Sequence, residues 1–259
     1  GNAFDAAVAA GFALAVVEPS MSGIGGRLQA LYHEASGKVG GVDASTQVPM
    51  NYKPREEKYA YGYETIGIPG VVAGLLQLHE HHGSLPLQTV MAPAIRYAEE
   101  GFRILPMEAK RQQSAKAVFE QFEGTKTHFL NADGQAFQAG ELVVQKTLAN
   151  TLREIAAKGK AGFYEGEVAQ KMVEDIQANG GILTLEDLKN YKALHAEVLE
   201  GSFQGTDIYA LNLPSYGAIT IQILQILDQL PQPETEEAWA KQFDRATALA
   251  YTFRKHQKN

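Results

Sequence analysis

The chain has 259 residues, 45% hydrophobic and 20% charged, enough apolar sequence for a sizeable core and too little charge for a disordered tail. A formal net charge of −7, with no basic run interleaved with aromatics, excludes nucleic-acid binding as its main business. Cysteine is absent, which removes disulfides, thiol nucleophiles and thiolate metal sites and leaves the compartment open.

The first element is a helix. Asn2 is placed to cap it, and Glu18-Pro19 closes it because proline cannot continue the hydrogen-bond ladder. The run from Ala6 to Val17 is apolar on every side and falls short of the roughly 20 residues that span a bilayer. It reads as a helix buried in a core, not a membrane span. No basic n-region precedes it, so it is no signal peptide. A chain that opens inside such a helix reads as truncated at its start, and localisation stays unassigned.

Residues 20–26 form a glycine-rich turn, and Leu28–His33 and Lys38–Asp43 flank Ser36-Gly37 as a β-hairpin. Residues 44–66 are irregular and rich in tyrosine (Tyr52, Tyr59, Tyr61, Tyr63), rings that either line a cleft or pack down half-buried. Helices follow over about 70–82, 87–100 and 107–122, the second stopped by Gly101. Residues 123–141, with the turn Asn131-Ala132-Asp133-Gly134, read as a surface connection.

Helical periodicity resumes over about 145–158 and 165–179. Thr184-Leu185-Glu186-Asp187 then resembles a capping box for a short helix to about Tyr191. Val198–Phe203 and Asp207–Leu211 flank Gln204-Gly205 as a second hairpin. Helices over 218–230 and 235–254 precede the tail Lys255–Asn259. With no internal repeat and no low-complexity linker, residues 1–259 read as a single α/β domain.

Several blocks carry a family resemblance, and they occur in one order. They are Gly1-Asn2-Ala3-Phe4-Asp5-Ala6-Ala7 with Glu18-Pro19 and Ser22-Gly23-Ile24-Gly25-Gly26, then Gly67-Ile68-Pro69-Gly70-Val71-Val72-Ala73-Gly74 and Met91-Ala92-Pro93-Ala94-Ile95-Arg96-Tyr97-Ala98. Phe163-Tyr164-Glu165-Gly166, Gly180-Gly181-Ile182-Leu183-Thr184-Leu185-Glu186-Asp187 and Leu213-Pro214-Ser215-Tyr216-Gly217 follow. Together they resemble the large-subunit part of the gamma-glutamyltransferase family.

That resemblance implies a segment of the four-layer αββα N-terminal-nucleophile hydrolase fold, α/β (α+β) and helix-rich with two β-hairpins. In that family a precursor cleaves itself before a threonine whose hydroxyl attacks a gamma-glutamyl amide. The freed α-amine is the local base, and backbone N–H groups hold the oxyanion. No threonine here has that setting; Thr125-Lys126-Thr127-His128 sits in a polar stretch. The resemblance therefore implies no catalytic residue within the chain, truncation at its end as well as its start, and inactivity of the segment alone. It also implies a partner, the small subunit or C-terminal segment of the same precursor, a small acyl-amide substrate, and no cofactor or metal.

One position departs from the family. A family arginine that pairs with the glutamyl α-carboxylate lies in a run matched here by Asp43-Ala44-Ser45-Thr46-Gln47-Val48-Pro49, which puts Ser45 at the arginine position and Thr46 beside it. Ser45 and Thr46 are thus the candidate substrate-binding residues. Serine cannot supply the bidentate, charge-assisted grip of a guanidinium. Two readings follow: an altered acyl specificity, as in the related cephalosporin and glutaryl acylases, or a non-catalytic structural or binding protein built on the same scaffold. Arg27 is a second cation to weigh against a plain surface arginine.

Other features carry weaker readings. His79 and His82 share a helix face, but no carboxylate–histidine partner set follows at ligand spacing, and a helix C-terminus suits them. Glu18, Asp43, Glu99 and Glu100 read as caps and solvated faces. The glycine turn has a helix before it and a strand after it, the reverse of a phosphate cradle.

Overall fold

The computed structural model describes residues 1–54, 56 and 59–254. The tail Lys255–Asn259, and Arg55, Glu57 and Lys58 of the irregular stretch, lie outside the described residues. In chain order, α1 (Ala3–Val17) is followed by β1 (Leu28–His33) and β2 (Val39–Ala44), a 3-10 turn at Tyr63–Thr65, α2 (Val71–His82) and α3 (Leu87–Glu100). Next come β3 (Phe102–Arg103), α4 (Pro106–Phe119), α5 (Glu123–Phe129), β4 (Leu142–Val143), α6 (Lys146–Lys158), α7 (Ala161–Tyr164), α8 (Gly166–Ala178) and α9 (Leu185–Asn190). The chain closes with β5 (Leu194–His195), β6 (Val198–Phe203), β7 (Thr206–Leu211), α10 (Gly217–Asp228) and α11 (Glu236–Arg254).

These elements form two contact units. The larger comprises Gly1–Leu28 and Ala44–Ala193. Here α1 packs on α2 and α3, and α3 on α6. Val8, Phe12 and Val16 of α1, Met91, Ala94 and Ala98 of α3, and Leu152 and Ile155 of α6 are completely buried. Contact with α2 and α3 accounts for the buried face of α1, whereas Ala6, Ala7, Ala10 and Leu14 are exposed, so the helix is not enclosed on every side as its all-round apolarity led one to expect. Asn2 and Asp5 form a reciprocal capping box at its start, and Asp5 also accepts from Ser84 Oγ at 2.6 Å and Ser84 N at 2.9 Å.

The smaller unit comprises Gln29–Asp43 and Leu194–Asn259. Its first sheet has the order β1-β2-β5, with Val42 opposite His195 in antiparallel register. Gly37, at φ 90°, makes the β1–β2 turn. The β6–β7 hairpin closes through Gln204 (φ 51°) and Gly205 (φ 74°), the two left-handed positions of a type I′ turn. Helix α10 packs on this hairpin and on α11, which buries only Ala246 and Ala250.

Three departures from the sequence reading come from contacts between segments, near in the chain for the first two and distant for the third. Residues 123–129 are helical, not a bare connection: Phe129 stacks on Phe119 at 5.1 Å, and Thr125 Oγ1 donates to the carbonyls of Phe119 and Phe122. The expected helix over 107–122 accordingly stops at Phe119. The two-residue strands β3 and β4 pair only with each other, and β5 exists only because β2 offers it an edge.

Asp5 generates a pH prediction. The Ser84 hydroxyl holds its carboxyl far below the ordinary carboxylate range, helped by the backbone N–H groups of Asn2, Ser84 and Leu85 against the opposing effect of burial. A depressed folded pKa contributes stability that is complete above the unfolded value of about 4 and is lost as pH falls through the folded one. Asp5→Asn should therefore lower the urea midpoint at pH 7 and flatten its decline below about pH 4. Leu152→Ala, by contrast, should cost about 2–5 kcal/mol at every pH, the usual cavity penalty; urea titrations at pH 3 and pH 7 separate the two.

Candidate functional site

Segment 44–50 is held from several sides, in part by groups from the sequence blocks named above. Gln47 and Ile68 exchange backbone hydrogen bonds, Gln47 N to Ile68 O at 3.2 Å and Ile68 N to Gln47 O at 2.8 Å. Tyr191 Oη donates to the Ser45 carbonyl at 2.9 Å. Asp187, whose other oxygen caps α9 with Thr184, accepts from Met50 N at 2.9 Å. Tyr164 Oη donates to the Pro69 carbonyl at 2.8 Å and accepts from Ala73 N at 3.2 Å.

The two tyrosines stack with ring centroids 5.6 Å apart and planes within 3°. Lys160 lies over the Tyr164 ring, its Nζ 5.6 Å from the centroid, and donates to the Tyr191 carbonyl. Burial lowers the Lys160 pKa, and nearby Lys192 adds to the effect. Burial likewise pushes the Tyr164 phenol well above its ordinary range, so it stays protonated and able to donate.

The glycines of the second block have a packing role. A Cβ on Gly70 would collide with the Ala44 carbonyl oxygen and the Tyr191 hydroxyl. The Gly26 carbonyl, at the end of the glycine turn, accepts from Gly70 N at 2.8 Å and Val71 N at 3.2 Å. The turn therefore presents an acceptor to the start of α2 and occupies donors that an anion would need.

Beside segment 44–50 lies a cleft of about 720 Å³. One side is Thr46, Gln47, Val48 and Pro49; Tyr52, Lys53 and Tyr59 of the irregular stretch form another. Asn51, Glu64, Thr65, Ile66, Gly67 and Ile182 complete the described lining. Thr46 is exposed and lines the cleft; Ser45, half-buried, is outside the lining. Of the four tyrosines singled out from the sequence, Tyr52 and Tyr59 face the cleft, whereas Tyr61 and Tyr63 pack edge-on against Phe122.

The remaining candidates have other occupations. His79 Nε2 lies 2.8 Å from the Leu85 carbonyl, and the His82 ring stacks on Phe4 at 4.4 Å. Glu18 pairs with Arg111 at 2.9 Å, Glu99 pairs with Arg153, and Arg27 is exposed. Thr127 Oγ1 donates to the Glu123 carbonyl within α5. Sequence reasoning missed Lys53, Tyr164 and Tyr191 as parts of the site. The two tyrosines depend on partners far away in the chain, 146 residues for Tyr191 and Ser45, and Lys53 on which segments border the cleft.

Comparison with known proteins places this geometry in context. The family model described as gamma-glutamyltranspeptidase matches residues 1–257. A glutathione hydrolase proenzyme of Pseudomonas sp. (strain A14) is 36% identical over 245 residues, which is 90% of this chain and 43% of that protein. The crystal structure of Helicobacter pylori gamma-glutamyltranspeptidase superposes with a TM-score of 0.94 at 33% identity, covering 98% of this chain and 77% of that one. A cephalosporin acylase from Bacillus halodurans gives a TM-score of 0.88 at 30% identity, over 96% of this chain and 49% of that one. The helix-rich α+β fold expected from the sequence is the fold of these N-terminal-nucleophile hydrolases.

The tyrosine stack makes its own prediction. Tyr164→Phe leaves the buried Pro69 carbonyl and Ala73 N–H without that partner and should cost about 1–3 kcal/mol; Tyr191→Phe, which removes one bond to a half-buried residue, should cost about 0.5–1.5 kcal/mol. Amide exchange at Gln47 and Ile68 should accelerate in both variants more than at Leu152, a pattern that global destabilisation alone would not produce.

Proposed function

This chain belongs to the gamma-glutamyltranspeptidase family, and on that premise we propose that it is the large-subunit scaffold of an acyltransferase or hydrolase acting on gamma-glutamyl or related acyl amides. The nucleophilic threonine lies outside these 259 residues. A hydroxyl in that role attacks the acyl carbonyl, expels the amine and leaves an ester that water or an acceptor amine resolves. The present chain supplies the walls of the donor site, with segment 44–50 and its cleft as that wall. Its partner is the small subunit or C-terminal segment of the same precursor. The observation that carries the reading is the convergence of the family's sequence blocks on this one segment, through Asp187, Ile68 and Gly70, with Tyr164 holding Pro69 and Ala73 beside it. The relative from Pseudomonas sp. is a proenzyme of which this chain spans 43%, which also supports it.

In this proposal Thr46 faces the substrate and Ser45 stands next to it outside the cleft lining; serine at the arginine position favours a donor not selected by a guanidinium–carboxylate grip. The likeness to a cephalosporin acylase supports altered acyl specificity over a non-catalytic descendant.

Two outcomes test the proposal. The purified 259-residue chain should show no turnover of a chromogenic gamma-glutamyl anilide, whereas the protein read through its continuing reading frame should; turnover by the chain alone, abolished by a substitution within it, would overturn the assignment of the nucleophile. In the active protein Ser45→Arg should raise the kcat/KM ratio of gamma-glutamyl over glutaryl donors by roughly tenfold or more, the worth of one charged hydrogen bond. An unchanged ratio with the fold intact removes Ser45 from the site.

A further inference from the structure

Among the described residues the cleft beside segment 44–50 has one basic side chain in its lining, Lys53, and among those residues Lys53 has no ion-pair or hydrogen-bond partner. Glu64, the acidic member of the lining, is engaged in a contact of its own. Val48, Ile66 and Ile182 give the walls apolar groups, beside the neutral polar side chains of Thr46, Gln47, Asn51 and Thr65. A chain of net charge −7 repels anions on average, so an anionic ligand would need a local cation. A cleft of about 720 Å³ is of small-molecule size, and an apolar wall with one polar anchor is how such sites fix orientation.

We infer that Lys53 anchors the terminal carboxylate of an acyl chain whose methylenes lie along Val48, Ile66 and Ile182. The ligand class is a short aliphatic dicarboxylate or its half-amide, of glutaryl type. The inference rests on reading this cleft as the acyl-donor site, and it names the residue that takes the charge where Ser45 cannot. An ammonium on a flexible stem attracts a carboxylate as a point charge, without the fixed planar fork of a guanidinium. Recognition through Lys53 therefore depends on the carboxylate and is indifferent to an α-amine beside it.

The test uses the whole chain, with glutarate and L-glutamate as probes, titrated by NMR or calorimetry at low salt. Both should bind, with affinities within about threefold of each other, and both should weaken as salt is raised because the anchor is solvent-exposed. Lys53→Met should weaken both by about tenfold or more, and Lys53→Arg should restore binding to within about threefold. Absence of binding by the unaltered chain, or equal binding by Lys53→Met, overturns the inference. A strong preference for L-glutamate does so too, since an α-amine would then be read. Lys53-dependent binding without turnover by the longer protein would sink the catalytic reading and leave the site. Turnover of a glutaryl donor unaffected by Lys53→Met would sink the site and leave the catalytic reading.

Discussion

The parallel stack of Tyr164 and Tyr191 is the constraint on which the candidate site depends. Each ring is completely or nearly completely buried, and each hydroxyl reaches a carbonyl of the segments that border the cleft, Pro69 for one and Ser45 for the other. Burying a phenol without a partner is costly, so the two acceptors must sit where the hydroxyls point. Because the rings are locked by stacking and by Lys160, the carbonyl positions inherit that rigidity. The bridge between Gln47 and Ile68 then follows from two strands of backbone already held side by side.

Glycine serves the same end from the opposite direction. Gly70 lets the Ala44 carbonyl and the Tyr191 hydroxyl approach the start of α2 more closely than any side chain would permit. Gly74 places the helix against Leu28 and Ala44 in the same way. The glycine-rich turn ends in a carbonyl that satisfies the first donors of α2, a role that serves packing.

The chemistry available at the cleft follows from what segment 44–50 lacks. An arginine at position 45 would bring a fixed, bidentate cation; serine leaves the wall neutral there. The cation present in the lining, Lys53, comes from the irregular stretch that follows, and its longer reach and softer geometry suit recognition of charge more than of shape.

How much of this was legible in advance divides by the range of the forces involved. Local signals sufficed for α1 with its Asn2–Asp5 box, for both long hairpins with their glycine turns, and for the Thr184–Asp187 cap, because each is decided by hydrogen bonds within a few residues. Ordered motifs sufficed for the family and its fold, since they record backbone positions where only glycine or proline fits. The sequence could not show that Tyr191 and Asp187 converge on segment 44–50, that Tyr164 holds Pro69 beside it, that α5 forms on a Phe119–Phe129 stack, or that Lys53 lines the cleft. Those facts depend on side chains separated by up to 146 residues in the case of Ser45 and Tyr191, whose meeting is fixed by burial of rings and pairing of carbonyls. No period or propensity along the chain encodes that; only the folded core decides it.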